Sequence, residues 1–270
     1  MSEPATRTKP AIFRLAEPID VEISEPSDVA ALPGGLFVVV SDIERTAALV
    51  TPGGAVEHIS LRSDDGDHES GFEAVTFDPE SRRLFVVSEE RHELEIYGFS
   101  GTGFADPRLL AHHALPALGA GKKKKKDRNK GIEGMAWLPA AVSPTGKDQI
   151  VVAKEARPSA LVVLDADGGG SPWEIALDER IEEACHDFSG LAVDPTSGRL
   201  FLCSDESAAF AEIALVELRG ELRAELVGTM ELRDPSGDLM KRVEGIALDE
   251  RGDLYVVLEN ARQLWRLERA

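Results

Sequence analysis

Five times along the chain a short alternating run of apolar and polar residues leads through a turn into an almost continuous apolar run that stops at an acid. The last example is Val243-Glu244-Gly245-Ile246-Ala247-Leu248-Asp249, turning at Glu250-Arg251-Gly252 into Asp253-Leu254-Tyr255-Val256-Val257-Leu258-Glu259. Centring the hairpin on Arg251-Gly252 places Glu244 opposite Glu259, a cross-strand pair of acids at the open end. The pattern also runs from Ser27 to Asp42, from Phe72 to Glu89, from Ile132 to Glu155 and from Phe188 to Asp205. Two further strand-like runs follow four of these hairpins, at 47–51 and 55–61, 94–99 and 108–115, 160–165 and 172–177, and 210–217 and 221–227. The fifth hairpin is followed only by Gln263-Leu264-Trp265-Arg266-Leu267, while an unassigned alternating run, Ala11 to Leu15, opens the chain.

Short strands in fours, with Gly and Pro at the turns, are the signature of propeller blades. The expectation is therefore one all-β domain over 1–270, a five-bladed β-propeller of four-stranded antiparallel blades. The N-terminal run would close the ring as the missing outer strand of the last blade, removing an exposed sheet edge. Only Leu177 to Ala184 offers a turn or two of helix. Residues 1–10 are expected to be disordered, and 118–131, with Lys122 to Lys126, Arg128 and Lys130, to form a basic solvated loop. Ser63 to Glu69 resembles a fragment of a calcium loop and reads more simply as a polar turn.

A net charge of -19 excludes nucleic acid and anionic membrane as main partners, since both select a basic face. It favours a small cationic ligand or a basic protein partner. Cys185 and Cys203 are too few for a disulfide framework. No apolar stretch has the length of a signal peptide or a membrane span, so a cytoplasmic monomer is expected. Gly-x-Ser-x-Gly, His-Glu-x-x-His and phosphate-cradling glycine loops are absent.

In a propeller both repeated acids fall at one mouth of the central channel. Asp28, Glu73, Glu133, Ser189 and Glu244 begin the inner strands, and Asp42, Glu89, Glu155, Asp205 and Glu259 end the second strands. Acids crowded in this way repel, so something must neutralise them. Protonation, basic residues such as Lys130, Lys154, Arg157, Lys241 and Arg242, or a bound cation would each serve. An oxygen-only donor set suits Ca²⁺ better than Zn²⁺. The nine carboxylates are thus candidate calcium ligands, and the alternative is that the first-ring acids accept backbone N–H groups and lock the ring together.

The Glu-Gly-Ile/Met-Ala hairpins at Glu133 and Glu244, their variants at Glu73 and Ser189, and the strand-plus-acid pattern at Glu89, Glu155, Asp205 and Glu259 resemble the bacterial SdiA-regulated family. The resemblance implies a five-bladed propeller, a distant relation to NHL-repeat proteins and a calcium ion within the propeller. Two functions are then open: a non-catalytic platform that presents an acidic mouth to a ligand or partner, and a calcium-dependent lactonase, esterase or phosphoesterase at the same mouth. In the second, Glu133 or Glu244 would be the base, and Lys130, Arg242 or Arg157 would orient an anionic substrate.

Overall fold

The computed structural model describes residues 11–61, 71–88, 91–115, 131–155, 159–167, 171–234 and 236–269. Its regular structure is almost entirely strand. After β1 (Ala11–Asp20) come β2 (Pro26–Leu32), β3 (Leu36–Ser41), β4 (Thr46–Val50) and β5 (Val56–Ser60), paired antiparallel in that order. The same order recurs in β6 (Phe72–Asp78), β7 (Arg83–Ser88), β8 (Glu93–Phe99) and β9 (Pro107–Ala114). It recurs again in β10 (Ile132–Leu138), β11 (Gln149–Lys154), β12 (Ala160–Asp165) and β13 (Trp173–Leu177). A single helical turn and a half, α1 (Glu179–Ala184), then fills the acidic segment; the Asp178 carboxylate caps it by accepting the Arg180 N–H, and Ile181 anchors it in the core. β14 (Gly190–Val193), β15 (Leu200–Ser204), β16 (Ala209–Leu218) and β17 (Glu221–Arg233) follow, and β18 (Val243–Leu248), β19 (Leu254–Leu258) and β20 (Gln263–Arg269) end the chain.

β1 does pair antiparallel with β20, as the closure argument expects. It also lies parallel to β17, from Ala11 beside Met230 to Arg14 beside Arg233. At its other end β17 runs parallel to β13, with Ala176 beside Arg223. These lateral contacts merge twelve strands into one sheet and leave β2–β5 and β6–β9 as separate four-stranded sheets. The sheets therefore differ in size, which the uniform repeat did not foretell. The contact with β1 depends on the length of β17: the sequence pattern ends this strand at Val227, before Gly228, whereas the ladder to β16 bulges at Val227, which is skipped between Leu226 and Gly228, and then continues past the glycine.

Why the second strands are so uniformly apolar follows from how the sheets stack. In β3, Val38 and Val40 join one buried cluster with β6, β7 and β8, while Phe37 and Val39 join another with β18, β19 and β20. Both faces are covered, so alternation is lost. The core is in fact divided into five such clusters, each shared by consecutive groups of strands, and the fifth joins the last group to the first. The first strands β2, β6, β10, β14 and β18 touch one another in sequence, and β18 returns to β2. Phe85 of β7 stacks on Trp137 of β10 across one such interface, with ring centroids 5.6 Å apart, as expected of a packing tryptophan. Among the described residues no helix is long and apolar enough to cross a membrane.

Candidate functional site: an acidic mouth above a closed waist

Four of the five first strands, all but β14, enter at the acidic end through a β-bulge. The ladder shifts between Pro26 and Asp28, Phe72 and Ala74, Ile132 and Gly134, and Val243 and Gly245. The skipped residues are Ser27, Glu73, Glu133 and Glu244, so a bulge re-aims these side chains at the start of the strand. Two readings from the sequence are corrected by this register. Glu244 is not directly opposite Glu259, because Val243 pairs with Leu258 and Gly245 with Val257. Asp28 is not the first-ring equivalent of Glu73; it pairs with Val40 at the position that Ala74, Gly134, Gly190 and Gly245 occupy elsewhere. The true member is Ser27, and the first ring holds Glu at three positions and Ser at two.

The two serines do what backbone anchors do. Ser189 Oγ donates to the Val243 carbonyl at 2.7 Å, and Ser27 Oγ donates to that of Phe72, each tying one first strand to the next. Ser189→Ala is expected to lower the unfolding free energy by about 1 kcal/mol, read by urea unfolding, because the buried carbonyl loses its partner. One position inward the channel narrows to a waist. A Cβ on Gly134 would lie 2.7 Å from Gly190 Cα, one on Gly190 2.9 Å from the Glu244 carbonyl oxygen, and one on Gly245 2.6 Å from Asp28 Oδ1, so at these three glycines the neighbouring first strand leaves no room for a side chain. Asp28 spans the remaining gap. Its carboxylate is fully buried and accepts the N–H groups of Val29 and Val75, both at 2.8 Å. Burial pushes its pKa well up, against the pull of those two bonds. Asp28 is thus a strand-to-strand anchor, the second of the two roles the sequence left open for the ring acids.

Charge gathers above the waist around β18. Burial, with Asp205 and Glu259 nearby, pushes Glu244 up to about 7; Arg242 opposes this and Asp187 adds to it. Arg242 is held over the cluster. Its backbone N–H donates to Asp205 from a left-handed conformation (φ 66), and its guanidinium lies 3.6 Å from Glu259. Asp187 escaped the sequence reading because it belongs to a loop outside the repeat. It accepts from Ser204 Oγ and from the Glu206 N–H at 3.1 Å. On the other side Gly131 N–H donates to Glu133 Oε1 at 3.3 Å and Glu155 N–H to the Gly131 carbonyl at 3.3 Å, while Glu73 and Asp42 are half-buried. Glu89, Lys130, Arg157, the Lys122 to Lys126 run and Ser63 to Glu69 lie outside the described residues. His186 is exposed at the edge of this loop, its backbone N–H on Ser207 Oγ.

A model of the SdiA-regulated family matches residues 104–264, well over half of the chain. The chain belongs to the SdiA-regulated family. Among solved structures, this SdiA-regulated protein is similar to the pyrroloquinoline quinone-bound aldose sugar dehydrogenase of Streptomyces coelicolor, with a TM-score of 0.54, 12% identity and 99% of each chain covered. It is also similar to a gluconolactonase of Xanthomonas campestris, with a TM-score of 0.51, 11% identity, and 98% of this chain and 100% of that one covered. At such identities the likeness is one of fold, and it makes the SdiA-regulated chain propeller-like.

Calcium is the group that the family resemblance implies. Among the described residues of this SdiA-regulated protein no three His, Cys, Asp or Glu side chains stand together as they would around a metal ion. Asp205, Glu259 and Asp187 are near enough to Glu244 to raise its pKa, but among the described residues these acids do not stand together as a preformed cage.

Proposed function

We propose that the chain is a binding platform on a five-bladed propeller, whose acidic mouth takes a cation or a cationic group. Each set of four strands is then a blade, with β1 completing the last. Five interface clusters and a closed ring of first strands support that reading, and the parallel contacts of β17 become lateral contacts between neighbouring blades. The observation that carries the function is Glu244. It stands half-buried beside Asp205, Glu259 and Asp187; burial first, and then the charges of Asp205 and Glu259, push its pKa up to about 7 against the pull of Arg242. A positive ligand would relieve that repulsion, and Asp205, Glu244 and Glu259 would have to close around a bare ion to hold it.

Calorimetric titration of Ca²⁺ into chelator-treated protein at pH 8 tests this. Saturable binding is expected, weakened about tenfold or more in Glu244→Gln, with a Ca²⁺-dependent rise in melting temperature. Should Ca²⁺ give no heat while a lysine- and arginine-rich peptide binds, the ligand is a basic segment. If neither binds, the mouth is not a cation site.

A second reading, hydrolysis of an ester or lactone, draws support from the same residue. A carboxylate with a pKa near 7 is matched to accepting a proton at neutral pH. Turnover of lactones or esters that vanishes in Glu244→Gln, with the fold intact, would favour it over the platform.

A further inference from the structure

The channel has a second end. Beyond the waist the first strands run on to their hairpin turns and enclose a cavity of about 160 Å³ that opens on the face opposite the acids. At one register, three residues beyond the waist position, each first strand contributes an apolar side chain to the wall: Ala31, Phe77, Trp137, Val193 and Leu248. Four of these are only partly buried, unlike the apolar residues just above them. Prolines follow in four of the five turns, at 33, 79, 139 and 195, and make a stiff apolar rim. Glu244 and Leu248 are four residues apart on β18, so the two ends are separated by about 13 Å of strand as well as by the waist.

The cavity walls offer hydrogen bonds and apolar surface, and charge enters only at the rim. Each first strand is paired on one side only, and along an antiparallel strand alternate residues turn both N–H and C=O away from the partner. Val75 N–H, on Asp28, and Trp137 N–H, on Thr76 Oγ1 at 2.8 Å, reveal which residues these are. By the same alternation Ala31, Phe77, Val193 and Leu248 turn their backbone groups toward the channel. The two acids on the rim are engaged elsewhere. Asp249 accepts from the backbone of Arg251 and Asp253 and from the Arg251 guanidinium, and Glu250 accepts the Gly34 N–H at 3.1 Å. Cavities of about 150 Å³ with apolar walls admit a single benzene-sized ring.

We propose that the hairpin end of the channel binds a small neutral ring compound bearing one hydrogen-bonding group, independently of the acidic mouth. Aromatic walls from Phe77 and Trp137 take the ring, and a channel-facing backbone group takes the polar substituent. The probe is 4-fluorobenzyl alcohol, followed by its fluorine resonance. Saturable binding with Kd near about 1 mM is expected for a ligand of this size, with nuclear Overhauser contacts from its ring to the Trp137 indole. Val193→Phe and Ala31→Leu, which fill the cavity from two different strands, are each expected to weaken binding about tenfold or more, while Glu244→Gln leaves it unchanged. The proposal is overturned by a fluorine shift that does not saturate, by contacts that bypass Trp137, by an unaltered Kd in either folded filling variant, or by 4-fluorobenzoate binding equally well. The Overhauser contact is measured on the unmodified chain and so decides the matter even if a filled variant does not fold.

Discussion

Asp28→Ala is expected to lower the unfolding free energy by about 4 kcal/mol, the largest loss from any of the nine candidate acids, and the melting temperature by roughly 10 °C. The carboxylate is fully buried at the waist, and its removal leaves the Val29 and Val75 N–H groups without acceptors and opens a void where no water can reach. The second of those donors belongs to the neighbouring group of strands, so the bond holds two sheets in register and not merely one turn. Asp42→Ala is the comparison: that half-buried acid at the rim is expected to change stability by less than about 0.5 kcal/mol. Urea unfolding of the two variants side by side decides it, and equal losses would mean that Asp28 is no special anchor.

Glu244 carries the opposite expectation, a gain on removing charge. Its pKa rises on folding from 4.5 to about 7, so between those pH values the folded chain holds a proton that the unfolded chain has released. Stability from this group is therefore complete below pH 4.5 and is lost as pH rises through 7, in total about 2–3 kcal/mol. Glutamine mimics the protonated acid at every pH. Glu244→Gln should match the unmodified protein near pH 4 and exceed it by about 2 kcal/mol at pH 8, in the absence of divalent cations. A variant less stable than its parent at pH 8 would show that the ionised carboxylate is held by favourable bonds, and the argument for a cationic ligand would fall with that result.

These two residues mark where sequence reasoning stops. Strands such as Phe37-Val38-Val39-Val40 were plain from composition, because burial on both faces demands apolar residues at every position. The closing strand was legible too, since an unpaired run at Ala11 to Leu15 answered a missing fourth strand after Gln263 to Leu267. Register was not. A bulge adds one residue without any change of residue type, so Ser27 and Asp28 looked interchangeable in line with Glu73, and only the ladder shift separates a rim position from a waist position. Nor could periodicity reveal Asp187, a loop residue whose part in the cluster depends on how Cys185 and Phe188 are buried on either side of it. Lateral pairing along β17 was hidden for another reason. Gly228 reads as a strand end, and the ladder reaches it only because β17 bulges at Val227, a feature with no mark in residue type.

The double attachment of β1 has a consequence for how the molecule is made. Its hydrogen-bonding partners, β17 and β20, are translated after β2 to β16, so a nascent polypeptide must leave Ala11–Asp20 unpaired until they emerge. During that interval both the early strand and the late edges it will cover are open templates for other chains. Pairing of β1 must therefore wait for β20, and a growing chain stalled before Gln263 would expose strand edges that the folded sheet covers.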